Sequence, residues 1–217
     1  VSPEDFSIML SKKEYMYGLW KKQVLEAIEN NHWEELGELL EKDITKITVG
    51  NKRIEKQFFY YVKAIYLGNE KKYREAFQFL KKAVQQTIPN IFISKEEILL
   101  GTMELHILIL YLYYGVLGKV LNLEMGKKLF EEIESYITRR KMEKNEQAKI
   151  YPKLICVGIS VLNNKLQESV KIMLCEKAIN ILRENLTFND IIYLLEIYIS
   201  LLEKQGNSDS IFYKKQY

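Results

Sequence analysis

The stretch 60–89, YYVKAIYLGNEKKYREAFQFLKKAVQQTIP, most constrains what this chain can fold into. Two amphipathic helical patterns meet at Gly68-Asn69, and Pro89 closes the unit. Ala64, Tyr73, Ala76, Leu80 and Ala83 recur at the spacing at which small and large side chains interlock between antiparallel helices. Ala76 and Ala83 share a face with Leu80, where a small residue lets the partner helix come close. The rest of the chain can be laid out in units of the same kind. Three prolines and ten glycines among 217 residues leave little room for long loops. A chain of this length can also bury a sizeable core.

The 34-residue logic of that hairpin resembles a tetratricopeptide repeat. Helices are expected over 14–30, 32–43, 52–67, 70–87, 95–118 and 123–141, then up to 163, over 166–184, and up to 204. Ser2-Pro3-Glu4-Asp5 is a helix start, and Gly206-Asn207 a stop. Segment 44–51 is the most strand-like and reads as an extended linker. Ser94 with Glu97 forms a capping box for the fifth helix, whose apolar character nearly all round predicts the deepest burial. Thr187 with Asp190 caps the ninth. Pro152 belongs in a first turn, so the seventh helix is expected to start between 146 and 151. The expected fold is an all-α, TPR-like solenoid of about nine helices in antiparallel hairpins, curled around a concave surface.

Composition excludes more chemistry than it supports. The 32 basic and 29 acidic residues nearly cancel, and only five of the basic ones are Arg. Nucleic-acid readers lean on Arg for bidentate contacts, so no dedicated nucleic-acid surface is expected in these residues. Cys156 and Cys175 are expected as reduced core residues of a cytoplasmic protein. His32 and His106 stand apart from them and from each other, which argues against metal binding or catalysis. No glycine-rich phosphate loop is present. The longest uncharged run, 105–118, is short of the roughly 20 residues a membrane span needs. The expectation is no enzyme, no cofactor and no metal.

Eight of the fifteen tyrosines stand on the third, fifth and ninth helices, each the first helix of a hairpin. Any one of them can simply fill a helix interface with its hydroxyl reaching water. Together they can instead line an aromatic groove that grips an apolar peptide. The register set by Ala76 puts Phe58, Tyr61 and Ile65 on the groove side of the third helix, and Leu108, Tyr111 and Gly115 on that of the fifth. The seventh helix offers Lys153, Cys156, Ser160 and Asn163, and the ninth Tyr193, Glu196 and Ser200. An apolar half followed by a polar half suits a short amphipathic ligand.

Two stretches resemble a known family. Val1-Ser2-Pro3-Glu4-Asp5-Phe6 is similar to the last helix of a Cro/repressor-type helix-turn-helix domain. Tyr151-Pro152-Lys153-Leu154-Ile155, with the later Cys175-Glu176-Lys177-Ala178-Ile179, resembles the repeat region of Rgg/MutR-like regulators. These belong with the Rap, NprR, PlcR and PrgX peptide sensors of Gram-positive bacteria. The resemblance implies a quorum-sensing transcription regulator, in which a repeat domain binds a short signalling peptide and dimerises through its C-terminal hairpins. It implies that 1–13 ends, or links to, a DNA-binding helix-turn-helix domain outside these residues. Residues 14–207 would then be the repeat domain, and 208–217 a tail or short capping helix. One departure stands out: members often carry an asparagine about five residues after the proline, and Val157 is there instead. The competing expectation is a TPR-like protein-interaction adaptor with no DNA-binding role.

Overall fold

The structure, a computed structural model, describes residues 12–41, 52–88, 99–139, 142–185 and 191–205. The helix start at Ser2, the 44–51 linker, the caps at Ser94 and Thr187, the stop at Gly206-Asn207 and the tail 208–217 lie outside the described residues. The described residues form nine α-helices and no strand, as the periodicity predicts. They fall into two compact units, Val1–Glu96 and Glu97–Tyr217.

The first unit holds α1 (Lys12–Glu29), α2 (Trp33–Glu41), α3 (Lys52–Asn69) and α4 (Tyr73–Thr87). Helices α1 and α2 pair, α2 touches α3, and α3 packs against α4. Trp20 ties three of them together. Its ring stands edge-on to Phe58 at 5.9 Å and stacks on Phe59 at 6.4 Å. Its indole N–H donates to the Leu39 carbonyl at 3.0 Å, satisfying the polar end of a side chain that is otherwise buried. In the α3–α4 hairpin Ala64, Ala76, Leu80 and Ala83 are fully buried, which is the interlock their spacing predicts. Gln57, also buried, donates from Nε2 to Thr87 Oγ1 at 2.5 Å across the hairpin.

The second unit holds α5 (Thr102–Leu117), α6 (Leu123–Arg139), α7 (Lys144–Leu162), α8 (Glu168–Glu184) and α9 (Ile191–Lys204). A single 3-10 turn, Asn163–Lys165, follows α7. Helix α7 is central, touching α5, α6, α8 and α9, and it buries more residues than α5 does. The expectation that α5 would be the most buried is therefore corrected. An all-round apolar helix at the end of a unit has fewer neighbours than a mixed one in its middle. Helix α5 also starts later than expected, because 99–101 are not helical. Glu104 accepts a hydrogen bond from the Gly101 amide at 3.1 Å and ends the helix there.

Pro152 brings the largest correction. It lies inside α7, well past the first turn, and is buried with Ala148, Ile150, Tyr151, Leu154 and Ile155. Proline cannot donate to the carbonyl four residues back, which costs a helix ~3 kcal/mol. Burying each large aliphatic or aromatic neighbour returns about 1.5–3 kcal/mol, so packing on both sides of the proline carries the helix through it.

The hairpin turns share one construction that the spacing did not reveal. Asn31, Lys71 and Lys119 have φ of 57°, 59° and 55°. In each case the next amide reaches back to a carbonyl five residues earlier: His32 to Ala27, Lys72 to Leu67, Val120 to Gly115. The left-handed residue itself bonds three residues back, to Ile28, Gly68 and Val116. This is the Schellman cap, which satisfies the carbonyls a helix end leaves open. The turn predicted at Gly68-Asn69 therefore falls later, with α3 running to Asn69 and Lys71 as its pivot.

Candidate functional site

The most complete candidate surface lies on the first helices of the second unit, α5, α7 and α9. Helix α7 touches both of the others. Its inner faces bury Leu154, Ile155, Gly158 and Leu162, leaving Lys149, Lys153, Ser160 and Asn163 exposed along one side. On α5 the less buried stripe is His106, Leu110 and Tyr113, recurring at helical spacing. The register carried over from Ala76 differs from this. It selects Leu108, Tyr111 and Gly115, which are buried at the helix interfaces.

The remaining sequence-selected residues divide by environment. Phe58 is buried against Trp20 with the Lys21 ammonium 5.0 Å above its ring, while Tyr61 and Ile65 on α3 are half-buried. All three belong to the first unit. Burial pushes the Tyr61 hydroxyl up to about 12 and raises that of Tyr111. In the second unit Cys156 is buried on α7. The other buried thiol, Cys175, is pushed up to about 12 by burial and then by Cys156. Both lie in the core, as expected. Tyr193, Glu196 and Ser200 are exposed on α9. The Ser160 hydroxyl donates to the Val157 carbonyl at 2.9 Å, and the Asn163 side-chain carbonyl accepts from Lys171 at 2.5 Å.

Electrostatics on the α5–α7 side centre on His106. Burial first, and then the nearby Lys153 ammonium, lower its pKa from 6.5 to about 4, with Glu146 opposing. Glu146 is held by Lys149 at 2.8 Å and by the Thr102 hydroxyl, which keeps it ionised. The imidazole is thus neutral at pH 7. Between pH 6.5 and about 4 the unfolded chain binds a proton that the folded chain refuses. Stability is full above about 6.5 and falls as the pH drops toward 4. Discounted for solvent at this partly exposed ring, the loss should be about 1–2 kcal/mol. Urea midpoints at pH 7 and pH 5 should show it, and His106→Asn should flatten the difference.

Two polar clusters escaped the sequence reading. Glu134 Oε1 on α6 accepts from the Tyr151 hydroxyl at 3.1 Å and from Lys177 at 2.9 Å. Burial and then this carboxylate raise the Tyr151 pKa. Lys171, 2 % exposed, pairs with Glu168 at 2.8 Å. Its signal was present, since Lys171 stands on the same stripe as Leu174, Cys175, Ala178 and Leu182. Among the described residues no group of three His, Cys, Asp or Glu could hold a metal, and no helix is long and apolar enough to cross a membrane.

No family model matches the chain, and no curated protein matches it in sequence. A solved structure does match: the crystal structure of Bacillus thuringiensis PlcR in complex with the peptide PapR7 and DNA. The TM-score is 0.68 at 15% identity, over 97% of this chain and 73% of that one. The chain therefore has the TPR-like all-α fold of that regulator, as the resemblance in its sequence implied.

Proposed function

We propose that this chain is the ligand-sensing domain of a bacterial helix-turn-helix transcription regulator and that its ligand is a short signalling peptide. The observation that carries this reading is the fold likeness, along nearly the whole chain, to a regulator crystallised with a peptide and DNA. In the second unit the peptide would lie along the exposed side of α7. Lys153, Ser160 and Asn163 would supply polar contacts there, and His106 and Tyr113 of α5 aromatic ones. On α9, Tyr193, Glu196 and Ser200 are accessible to the same ligand. In the second unit Tyr111 and Cys156 would act from behind as packing; in the first unit, taken by itself, Tyr61 and Ile65 of α3 are partly accessible and Phe58 is buried. DNA would be contacted by a helix-turn-helix domain, not by the helices described here. A homodimer through the C-terminal hairpins would cover Met173 and Ile192, which are 57% and 67% exposed.

A peptide that binds one arrangement of the helices better than another shifts their populations by that difference in affinity. In a dimer such a shift changes the spacing of two reading helices, and with it the match to paired half-sites on DNA.

The test is capture. Protein purified from a Gram-positive lysate should retain short peptides detectable by mass spectrometry. Calorimetry with a captured peptide should show Lys153→Glu weakening it roughly tenfold, about 1.4 kcal/mol. Retention of intact proteins and no peptides would favour an interaction adaptor instead.

A further inference from the structure

The turn between α5 and α6 differs from the two other Schellman turns in what it shows to solvent. Two residues before the left-handed pivot stand Glu29, Asn69 and Leu117, and just after it His32, Lys72 and Val120. The third residue of the following helix is Glu35, Glu75 or Met125. All of these are exposed, so the turn geometry leaves the three positions open in each hairpin. Two hairpins fill them with polar or charged side chains. The α5–α6 hairpin fills all three with aliphatic ones. Its turn is also two residues longer between pivot and helix, and Leu123 is exposed at the start of α6 where Trp33 and Tyr73 are half-buried. Leu117, Val120, Leu123 and Met125 are between 37% and 52% exposed. Their side chains are not what builds the turn. Its bonds are made by main-chain amides and by Asn122 Oδ1, which accepts from the Met125 amide at 2.8 Å.

Apolar side chains gathered at a solvent-facing tip mark a docking surface, and size and charge decide what covers it. Four partly exposed side chains supply a few hundred Å² at most. Each partner in a stable complex buries about 800 Å², so a second copy gains too little here. Lys119 stands within the cluster, and Lys127 and Lys128 follow on α6. The one carboxylate between 117 and 128, Glu124, is neutralised by Lys165 at 2.5 Å. Glu131 and Glu132 meet Lys127 and Lys128 only at 3.8 and 4.0 Å, as weak exposed pairs one turn further on. Lysine is depleted in protein–protein interfaces. It suits a lipid surface, where the ammonium meets anionic headgroups and the stem lies along acyl chains. A bilayer also accepts a convex apolar tip without a matching groove.

We propose that the α5–α6 turn docks on an anionic membrane surface, with Leu117, Val120, Leu123 and Met125 entering the headgroup–acyl boundary and Lys119, Lys127 and Lys128 on its phosphates. Such a contact lies on the bilayer and needs no spanning helix. The test is flotation of the whole chain with vesicles of phosphatidylglycerol and phosphatidylcholine in equal parts, against vesicles of phosphatidylcholine alone. The chain should float with the anionic vesicles and much less with the neutral ones. The triple variant Leu117→Asn, Val120→Lys, Met125→Glu carries the residues of the α3–α4 turn and leaves the net charge unchanged. It should bind anionic vesicles roughly tenfold more weakly or worse, with the circular dichroism spectrum and thermal midpoint unchanged. Lys119→Gln should weaken the same binding about fivefold. Should the triple variant misfold, Val120→Asn alone should still weaken binding several-fold. No flotation with anionic vesicles would overturn the proposal. So would equal flotation of the folded triple variant, or of Val120→Asn in its place, since charge alone would then hold the chain. Self-association that the triple variant abolishes, with no vesicle binding, would overturn it in favour of a second copy.

Discussion

Trp20→Ala should cost the first unit about 3–5 kcal/mol, the range for removing a large buried aromatic side chain. The residue is 4% exposed and sits between Tyr17, Phe58 and Phe59. Truncation leaves a cavity among three helices and strips the Leu39 carbonyl of its indole donor. Two terms therefore add, loss of apolar burial and an orphaned buried acceptor. Hydrogen exchange should locate the effect, with amides of α1, α2 and the first half of α3 losing protection and those of α5–α9 keeping theirs. Trp20→Phe should retain much of the packing and none of the hydrogen bond. An unchanged exchange pattern in Trp20→Ala would remove this residue from the centre of the unit.

Gly158→Ala should destabilise the second unit by about 1–3 kcal/mol through overpacking. A Cβ there would lie 2.3 Å from Phe130 Cε2 and 2.6 Å from Cδ2, closer than packed carbons come. The ring cannot swing away freely, because Phe130 is itself buried on α6. Alanine's better helix propensity returns at most ~1 kcal/mol, so the clash wins. At ~2–4 °C per kcal/mol for a chain of this size, the thermal midpoint should fall by several degrees. Phe130→Leu in the same chain should recover part of the loss, which a double-mutant cycle would measure as coupling between the two positions.

Apolar periodicity carried most of the fold. Ala64, Ala76, Leu80 and Ala83 interlock as their spacing implies, and Gly126, Phe130 and Ile133 repeat the arrangement on α6. Boundaries were less legible, because they depend on competition between local rules and packing. At Pro152 the local rule predicts a helix start, and burial on both sides of the ring overrides it. At Lys71 and Lys119 a left-handed turn is formed by a residue that does not announce one. The conformation costs a non-glycine residue roughly 1–2 kcal/mol, and only the Schellman bonds around it make it worthwhile.

The candidate site was legible in part. On α7 the register set by Ala76 selects Lys153, Cys156, Ser160 and Asn163, of which Lys153, Ser160 and Asn163 are exposed and Cys156 is buried. On α5 an apolar helix gives no contrast between faces, so a register imported from α4 selected Tyr111 where His106, Leu110 and Tyr113 are more open. Hydrophobicity alone cannot orient a helix that is apolar all round. The polar clusters were missed for a related reason. Glu134 and Lys177 are 43 residues apart, and nothing local in either helix signals that they meet.

The double occupancy of Glu134 Oε1 has a mechanical consequence. One oxygen atom joins α6 to α7 through Tyr151 and to α8 through Lys177, while the Lys177 ammonium also sits 4.9 Å from the Tyr151 ring. Sliding or rolling any one of these helices against the others strains all three contacts at once. Hydrogen bonds to a charged group contribute about 1.5–3 kcal/mol each, so the three helices should flex as a single stiff plate. A further strut runs from the Tyr198 hydroxyl of α9 to Glu176 of α8 at 2.8 Å. At the other side of the unit the Thr102 hydroxyl of α5 donates to Glu146 of α7, and Tyr136 of α6 bonds Leu100 just before α5.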